Sequence, residues 1–361
     1  MTVTDVAAAC PVCGEPIAAG DLFCEACGNA LPVTTPAPAA IERSPAVEPV
    51  PATPAPAATA ITCPSCGNQG EPVEGYCGVC GTRLPAPRDH QELVLEGAAG
   101  VSNKGKRHAR NEDAMAIFVG EEVVGEGYVA AIVCDGVSTS VNPDVASQAA
   151  ADAACAVLAG TPDLEAAYDA AFAAVLATEF EPHAELSPPS CTFLAATITD
   201  ARITLASHGD CRAYWCADGT ATQLTVDDSW SEVQIAAGMP RADAYSHALA
   251  HVITRWLSKD ADPEWRPRIV PFDVPGPGRL LLVSDGLWNY TLEPAHLVAA
   301  MGDPSAARID LARRLVTFAN DAGGSDNITV VLVDLPLRPE GEQQPLRPEG
   351  EQEQSKGSVA P

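Results

Sequence analysis

The sequence predicts an α+β protein in which antiparallel strands are covered by helices and preceded by two small cysteine-rich modules. Eight cysteines repeat in two similar clusters, strand-like runs follow one another through short turns, and helical periodicity comes in pairs. Strands in succession favour antiparallel sheets with helices outside over a doubly wound parallel sheet. At 361 residues the chain accommodates two domains, or one large domain with appendages.

Composition and charge limit the classes of function. The chain carries 48 Asp and Glu residues against 21 Lys and Arg residues, a net charge of -27. Such an acid excess argues against a protein that neutralises nucleic-acid phosphates. No apolar run reaches the roughly 18 residues of a membrane span, and the first residues lack the pattern of a signal peptide. We therefore expect a soluble, cytoplasmic protein with no nucleic-acid or membrane partner.

The two cysteine clusters form an internal repeat offset by 53 residues, from Cys10 to Cys63. Each reads C-x2-C, ten residues, C-x2-C, a spacing that can place four thiolates tetrahedrally around Zn2+. Disulfides are the weaker alternative, since modules this small need a metal for stability. The repeat resembles a double zinc ribbon and implies two structural Zn2+ ions. The expected ligands are Cys10, Cys13, Cys24 and Cys27 in the first ribbon and Cys63, Cys66, Cys77 and Cys80 in the second.

Changes in composition predict the domain boundaries. A segment rich in Pro and Ala separates the two ribbons and is expected to be an extended spacer. Two near-copies of PLRPEGEQ at the C-terminus have no apolar face, so a disordered tail is expected there. The predicted organisation is zinc ribbon 1 at 8–31, linker at 32–62, zinc ribbon 2 at 63–88, a globular domain at 93–335 and the tail at 336–361.

Within the globular domain, apolar runs and their periodicity locate the elements, and five single cysteines in these runs are expected to pack as small apolar residues. Predicted strands are Tyr128–Cys134, Cys191–Thr199, Arg202–Ser207, Arg212–Cys216, Arg279–Val283 and Ile328–Val333. Predicted helices are Pro143–Leu158, Leu164–Phe180, Pro294–Met301 and Ala306–Ala319.

Several carboxylates stand at the ends of predicted strands, where a surface charge is not expected. An ionised carboxylate near a core is unfavourable unless it is paired or bound to a metal, and few basic residues lie near these in sequence. A single Asp-Gly would suit a strand-terminating turn, but the whole set favours hard divalent ions such as Mg2+ or Mn2+. The set comprises Glu112, Asp113, Asp135, Asp210, Asp285 and Asp326.

The ordered motifs GKRHARNEDA, AAIVCDGVSTS, SHGDCRAYW, LLLVSDGLW and GGSDNITVVLV resemble the metal-dependent protein phosphatase family (PPM, type 2C). They cover the 93–335 domain in the order of the family. The resemblance implies a four-layer sandwich, two antiparallel β-sheets flanked by helix pairs, with a two-metal site between the sheets. It implies as ligands Asp135 bridging both ions, the carbonyl of Gly136, Asp285, Asp326, Glu112 and Asp113, with Asp210 for a third ion.

The implied reaction is hydrolysis of phosphoserine or phosphothreonine by a water activated between two Mn2+ or Mg2+ ions. Where the family usually has an Arg that grips the substrate phosphate, this chain has His108, with Arg107 and Arg110 beside it. We expect this trio to bind phosphate, the alternative being a solvated basic loop. Val137 after the Asp-Gly pair cannot donate a proton, so water must protonate the leaving group.

The leading hypothesis is a protein serine/threonine phosphatase whose ribbons recruit a partner, for example a Ser/Thr kinase or its targets, or regulate the enzyme. The substrate is then a phosphoprotein. The alternative is a catalytically silent PPM domain that acts as a phospho-dependent scaffold, but every core acid is present. Ribbons that bind nucleic acid are disfavoured because Arg83 is the only basic residue between Cys10 and Leu84 outside the spacer.

Overall fold

A computed structural model describes residues 62–70, 72–73, 75–121 and 127–337, together with the backbone of two short strands near the N-terminus. These strands, β1 (Ala8–Ala9) and β2 (Pro16–Ile17), pair antiparallel. The chain divides into two compact units, Met1–Thr59 and Ala60–Pro361. Several predicted features lie outside the described residues: the first-ribbon ligands Cys10, Cys13, Cys24 and Cys27, the linker up to residue 61, and the tail from residue 338.

The second cysteine module has a very small apolar centre. Its strands β3 (Pro72–Val73) and β4 (Tyr76–Cys77) pair antiparallel. Among the described residues of this module, the buried cluster contains Cys63, Cys77 and Leu84. Because so little apolar surface cannot offset the entropy of ordering the module, its fold depends on cross-links between the cysteines, as a shared metal ion provides.

The rest of the described chain contains two antiparallel sheets and a short pair, β9 with β14. Their strands are β5 (His90–Leu95), β6 (Ala98–Asn103), β7 (Ala114–Glu121), β8 (Gly127–Cys134), β9 (Ser190–Cys191), β10 (Phe193–Ile198), β11 (Arg202–His208), β12 (Arg212–Ala217), β13 (Thr220–Gln223), β14 (Leu257–Ser258), β15 (Arg268–Asp273), β16 (Gly278–Val283) and β17 (Ile328–Leu335). One sheet has the order β13-β12-β16-β17-β6-β5 and the other β15-β11-β10-β8-β7.

The two sheets pack face to face, and alternation along each strand separates the inner from the outer face. In β8, Val129 and Val133 belong to the core between the sheets, whereas Ala130 and Ile132 pack on the helices. This period of two follows from the pleat, which points successive side chains to opposite faces. All five single cysteines are unpaired and pack in these cores, as predicted.

Helices cover both outer faces of the sandwich. The helices are α1 (Pro143–Leu158), α2 (Leu164–Leu176), α3 (Trp230–Ala236), α4 (Arg241–Ser246), α5 (Asp285–Trp288), α6 (Pro294–Met301) and α7 (Arg308–Ala322). The pair α1 and α2 packs on the five-stranded sheet, and α6 and α7 pack on the six-stranded sheet. The expected four-layer sandwich is therefore confirmed. None of the described helices combines the length and the apolarity that crossing a membrane requires.

Some element boundaries differ from those predicted. The second long helix was expected to reach Phe180 but ends at Leu176. The six-stranded sheet begins at His90, ahead of the predicted start of the domain. At the other end, Leu337 lies beyond the predicted end and is buried in the core between the sheets.

We predict that Leu282→Ala lowers the free energy of unfolding by about 3 kcal/mol, because it opens a cavity between the two sheets. Leu282 is fully buried there. The matched control is Leu176→Ala on the rim of α2, where the side chain is 46% exposed and the expected cost is below about 1 kcal/mol. Denaturant unfolding measures both; equal losses would contradict the assigned core.

Candidate active site

Antiparallel pairing brings the predicted carboxylates of the five-stranded sheet to one end of the sandwich. Asp113 directly precedes β7 and Asp135 directly follows β8. Their neighbours Ala114 and Cys134 are register partners. Because adjacent strands run in opposite directions, the start of one lies beside the end of the next. Glu112, one residue further from β7, belongs to the same edge.

The six-stranded sheet presents its carboxylates at the corresponding edge. Asp285 follows β16 and begins α5, Asp326 lies just before β17, and Asp210 lies between β11 and β12. Val283, the last residue of β16, pairs with Arg212 at the start of β12 and also pairs near the start of β17. The three strand ends that carry these acids are therefore neighbours.

Hydrogen bonds join the two edges across the sandwich. Oδ2 of Asp113 accepts hydrogen bonds from the hydroxyls of Ser284 at 2.8 Å and Thr329 at 2.7 Å, both from the six-stranded sheet. The side-chain oxygen of Asn327 accepts the N–H of Glu112 at 2.7 Å. Ser284, Thr329 and Asn327 were not singled out from the sequence. For Ser284 and Thr329, the available signal was a hydroxyl inside or next to an apolar strand run.

Burial and mutual repulsion raise the pKa values of these carboxyls. Burial raises the pKa of Asp113 to about 7, and the charge of Asp326 adds to the shift. The pKa of Asp135 lies well above its ordinary value through burial, followed by repulsion from Asp113 and Asp285. For Asp285, burial acts first and repulsion from Asp326 and Asp210 follows. The carboxyls therefore face a common space, in which each disfavours the charge of the others.

The donor atoms fit hard divalent cations. Oδ1 of Asp113 and Oδ1 of Asp285 are buried without a hydrogen-bond partner in the described part of the chain, and a cation would satisfy both. Among the described residues, only the second-ribbon cysteines bring three or more ligand atoms within 4.8 Å of one another. The carboxylates are spaced more widely, as suits Mg2+ or Mn2+ ions that keep several water ligands.

Gly136 permits the close packing at the end of β8. Its N–H donates to the carbonyl of Glu112 at 3.2 Å. A Cβ at this position would lie 2.6 Å from that carbonyl oxygen and 2.7 Å from the carbonyl oxygen of Pro143. Any side chain here would therefore push apart the segment that carries Glu112 and the start of α1.

The surroundings of Asp210 include a buried cation, the guanidinium of Arg212. The indole N–H of Trp288 donates to the backbone carbonyl of Asp210 at 2.9 Å. The fully buried guanidinium of Arg212 stacks 3.6 Å from the ring centroid of Trp288 and forms an ion pair with Asp227 at 2.6 Å. Burial raises the pKa of Asp210 to about 7, Asp227 adds to the shift, and Arg212 opposes it. The Arg212 side chain is occupied by these contacts, and the Asp210 carboxyl forms no ion pair within the described residues.

The three predicted phosphate-binding residues, Arg107, His108 and Arg110, have different surroundings in the structure. Nε2 of His108 lies 3.2 Å from Oδ1 of Asp326, and Nδ1 lies 3.6 Å from Oε2 of Glu112. The contact with Glu112 and the charge of Asp326 raise the pKa of His108 against the opposing effect of burial. Arg110 pairs with Glu112 at 3.1 Å. Arg107 is exposed, and no contact links its side chain to these acids within the described residues.

The turn after β8 supplies a contact that the sequence did not predict. The hydroxyl of Ser138 donates to Oε2 of Glu112 at 2.6 Å. Burial raises the pKa of Glu112, but this bond and the contacts with His108 and Arg110 outweigh it, so the pKa is lowered. The pKa shifts of these two neighbours therefore have opposite directions, lowered for Glu112 and raised for Asp113.

The four cysteines of the second ribbon form a second candidate metal site. The sulfur of Cys63 lies 3.6 Å from that of Cys80, and the sulfur of Cys66 lies 3.6 Å from that of Cys77. Four thiolates around Zn2+ at about 2.3 Å define a tetrahedron with edges of about 3.8 Å. A hydrogen bond with the Thr82 hydroxyl lowers the pKa of Cys80 to about 6, which favours the thiolate. The geometry therefore fits a structural zinc ion.

Comparisons with known proteins identify the family of both parts of the chain. Residues 102–318 match the family model described as Protein phosphatase 2C, and residues 10–81 match Double zinc ribbon. The serine/threonine protein phosphatase PstP of Mycobacterium tuberculosis is 30% identical over 258 residues, which cover 70% of this chain and 47% of PstP. This chain thus spans about half the length of that relative.

Solved structures of the mycobacterial protein share the fold. The crystal structure of Mycobacterium tuberculosis PstP/Ppp is 30% identical with a TM-score of 0.55, covering 66% of this chain and 97% of that one. The catalytic domain of PstP in complex with two manganese ions is 29% identical with a TM-score of 0.51, covering 66% and 96%. The fold, the edge of carboxylates and the family match together show that this chain belongs to the protein phosphatase 2C family and carries a double zinc ribbon at its N-terminus.

Proposed function

We propose that the protein is a metal-dependent protein serine/threonine phosphatase that removes phosphate from phosphoserine and phosphothreonine in a phosphoprotein. The observation that carries the proposal is the set of buried and half-buried carboxyls at one edge of the sandwich, with unpartnered oxygens on Asp113 and Asp285. Supporting it, the mycobacterial relative is named a serine/threonine protein phosphatase, and its catalytic domain is described in complex with two manganese ions.

In this proposal the carboxyl edge holds two Mn2+ or Mg2+ ions, and a third at Asp210. When bound, such ions supply positive charge that lowers the pKa of a water and stabilises the phosphoryl oxygens. The residues proposed to hold them are Glu112, Asp113, Asp135, the carbonyl of Gly136, Asp210, Asp285 and Asp326.

The chain's own donors prepare the site. Asp113 must be ionised to bind a cation, and the hydroxyls of Ser284 and Thr329 stabilise its ionised form by hydrogen bonding to Oδ2. His108 and Arg110 offer positive charge for the substrate phosphate at the rim of the same edge. His108 lacks the bidentate geometry of arginine, so it contributes charge rather than a fork of two hydrogen bonds.

The zinc ribbons are proposed to recruit a protein partner, such as a Ser/Thr kinase or its targets, or to regulate the phosphatase. The strong acid excess of the chain supports protein rather than nucleic acid as the partner. Exposed apolar side chains on the second ribbon, those of Val73, Tyr76 and Val79, are suitable for such a contact.

We expect Asp285→Asn to lower the Mn2+-dependent hydrolysis of p-nitrophenyl phosphate and of a phosphothreonine peptide at least about 100-fold, because it removes a ligand charge. The matched control is Asp321→Asn, whose side chain is 77% exposed and whose activity should equal that of the wild type. A wild type that is inactive with Mn2+ on both substrates, or a fully active Asp285→Asn, would refute the proposal and favour the scaffold.

Mn2+ is expected to raise the melting temperature more at pH 7.5 than at pH 5. In the ion-free folded state the pKa values of Asp113 and Asp210 are about 7, against roughly 3.9 in the unfolded chain. The folded protein therefore binds more protons, and its stability falls as the pH rises from about 4 to 7. At low pH, protonation of the carboxyls removes the repulsion between them. At higher pH bound cations remove this repulsion instead, so Mn2+ stabilises the folded protein more at pH 7.5. Thermal unfolding at both pH values measures this, and an equal shift would contradict it.

Elemental analysis of the full-length protein should find about two zinc ions per chain, and the double variant Cys66→Ser/Cys80→Ser should retain about one. Cys155→Ser is the control, since this half-buried thiol lies outside both clusters and should leave the zinc content unchanged. Eight disulfide-bonded cysteines in protein purified without oxidant would overturn the zinc assignment.

A further inference from the structure

The connector between the second ribbon and the phosphatase sandwich is held by an ion pair from the ribbon. The connector is the 3-10 turn Pro87–Asp89 with the residues directly before it. The guanidinium of Arg83, on the ribbon, binds the carboxylate of Asp89 through two hydrogen bonds, at 2.7 and 3.2 Å. The Asp89 side chain is 14% exposed, and burial of this kind makes an ion pair more rigid than one on the open surface.

Arg88, which directly precedes Asp89, forms hydrogen bonds at the edge that is proposed to bind metal. Its Nε donates to the carbonyl of Asn111 at 2.8 Å, and its Nη2 donates to the carbonyl of Asp113 at 2.9 Å. These two carbonyls flank the Glu112–Asp113 pair. In return, the Asn111 side chain donates to the carbonyl of Arg88 at 3.1 Å. One side chain therefore holds both ends of the segment that carries two proposed ligands.

Arg88 also ties this segment to the start of α1. Its Nη2 donates to the carbonyl of Asp144 at 2.9 Å, and its Nη1 donates to the side-chain oxygen of Gln148 at 2.6 Å. All these acceptors are uncharged, so Arg88 neutralises no ligand directly. Its rigid, planar donor set instead fixes the relative positions of three backbone carbonyls, which the more flexible ammonium of lysine cannot do in the same way.

We propose that Arg88 is a positioning residue for the metal-binding segment Glu112–Asp113, and that the zinc-loaded second ribbon holds Arg88 in place through the Arg83–Asp89 pair. Zinc in the ribbon then raises the affinity of the phosphatase site for Mn2+. The inference rests on the proposed metal-dependent function. By linkage, Mn2+ at the phosphatase site raises the zinc affinity of the ribbon by the same factor.

The test measures Mn2+ binding to the full-length protein from the electron paramagnetic resonance signal of free Mn2+, together with kcat at saturating Mn2+. Arg88→Met should raise the Mn2+ dissociation constant about 10- to 100-fold while kcat at saturation falls by less than about threefold. Arg88→Lys should recover only part of the loss. Arg83→Met, a ribbon variant that leaves the sandwich intact, should raise the constant by about fivefold, a typical coupling.

The matched control is Arg313→Met. Arg313 also forms two hydrogen bonds with a carboxylate, that of Glu92 on β5, but it does not contact the metal-binding segment. Its Mn2+ affinity should equal that of the wild type. The zinc-site variant Cys66→Ser/Cys80→Ser should resemble Arg83→Met, and combining the two should add little, because both remove the same link.

The outcomes separate the inference from the function on which it rests. Unchanged Mn2+ affinity in Arg83→Met, or an equal loss in Arg313→Met, overturns the coupling even when the wild type is an active Mn2+-dependent phosphatase. A wild type that binds no Mn2+ refutes the proposed function itself. If Arg88→Met does not fold, Arg83→Met and Cys66→Ser/Cys80→Ser still test the coupling, since their substitutions lie in the ribbon and not in the sandwich.

Discussion

Gathering several carboxyls at one buried edge is energetically unfavourable, and the surrounding structure is arranged to tolerate it. Burial, together with repulsion from neighbouring carboxyls, raises the pKa values of Asp113, Asp135 and Asp285. Donors from the opposite sheet stabilise part of this charge, notably Ser284 and Thr329. Oδ1 of Asp113 and Oδ1 of Asp285 have no hydrogen-bond partner within the described residues, so cations bound at this edge would relieve a repulsion that the fold itself creates.

The two proposed metal environments differ for clear chemical reasons. The ribbon offers four thiolate sulfur atoms at tetrahedral spacing, the ligand set that structural zinc sites use. A zinc ion bound by all four would stabilise a module with almost no apolar core. The carboxyl edge offers widely spaced oxygens that leave room for water and substrate. Arg88 follows the second ribbon in the chain, four residues after Leu84, and its side chain donates hydrogen bonds to the backbone on both sides of Glu112.

Sequence reasoning located the acidic residues because each one interrupts or borders an apolar run, as Asp135 and Asp285 do. It identified the long helices and central strands for the same reason, since their periodicity is regular over many residues. It did not predict β5, β6, β7 and β13, nor the short helices between β13 and β14. It also missed the edge strand β15 (Arg268–Asp273), whose alternation is broken by Pro271. It also missed Arg88, because a long side chain that binds distant carbonyls leaves no pattern in its own neighbourhood.

The amino-acid sequence by itself determined the residue types and spacings: the repeated C-x2-C pairs, the acids at strand ends and the alternation that separates two cores. These are local properties, set by backbone geometry and side-chain chemistry within a few residues. Only the tertiary structure decided which strand ends meet, which hydroxyls support Asp113, and that Arg88 joins the ribbon to the metal-binding segment. Such contacts link residues far apart in the chain, and they exist only when the antiparallel pairing brings those strand ends together.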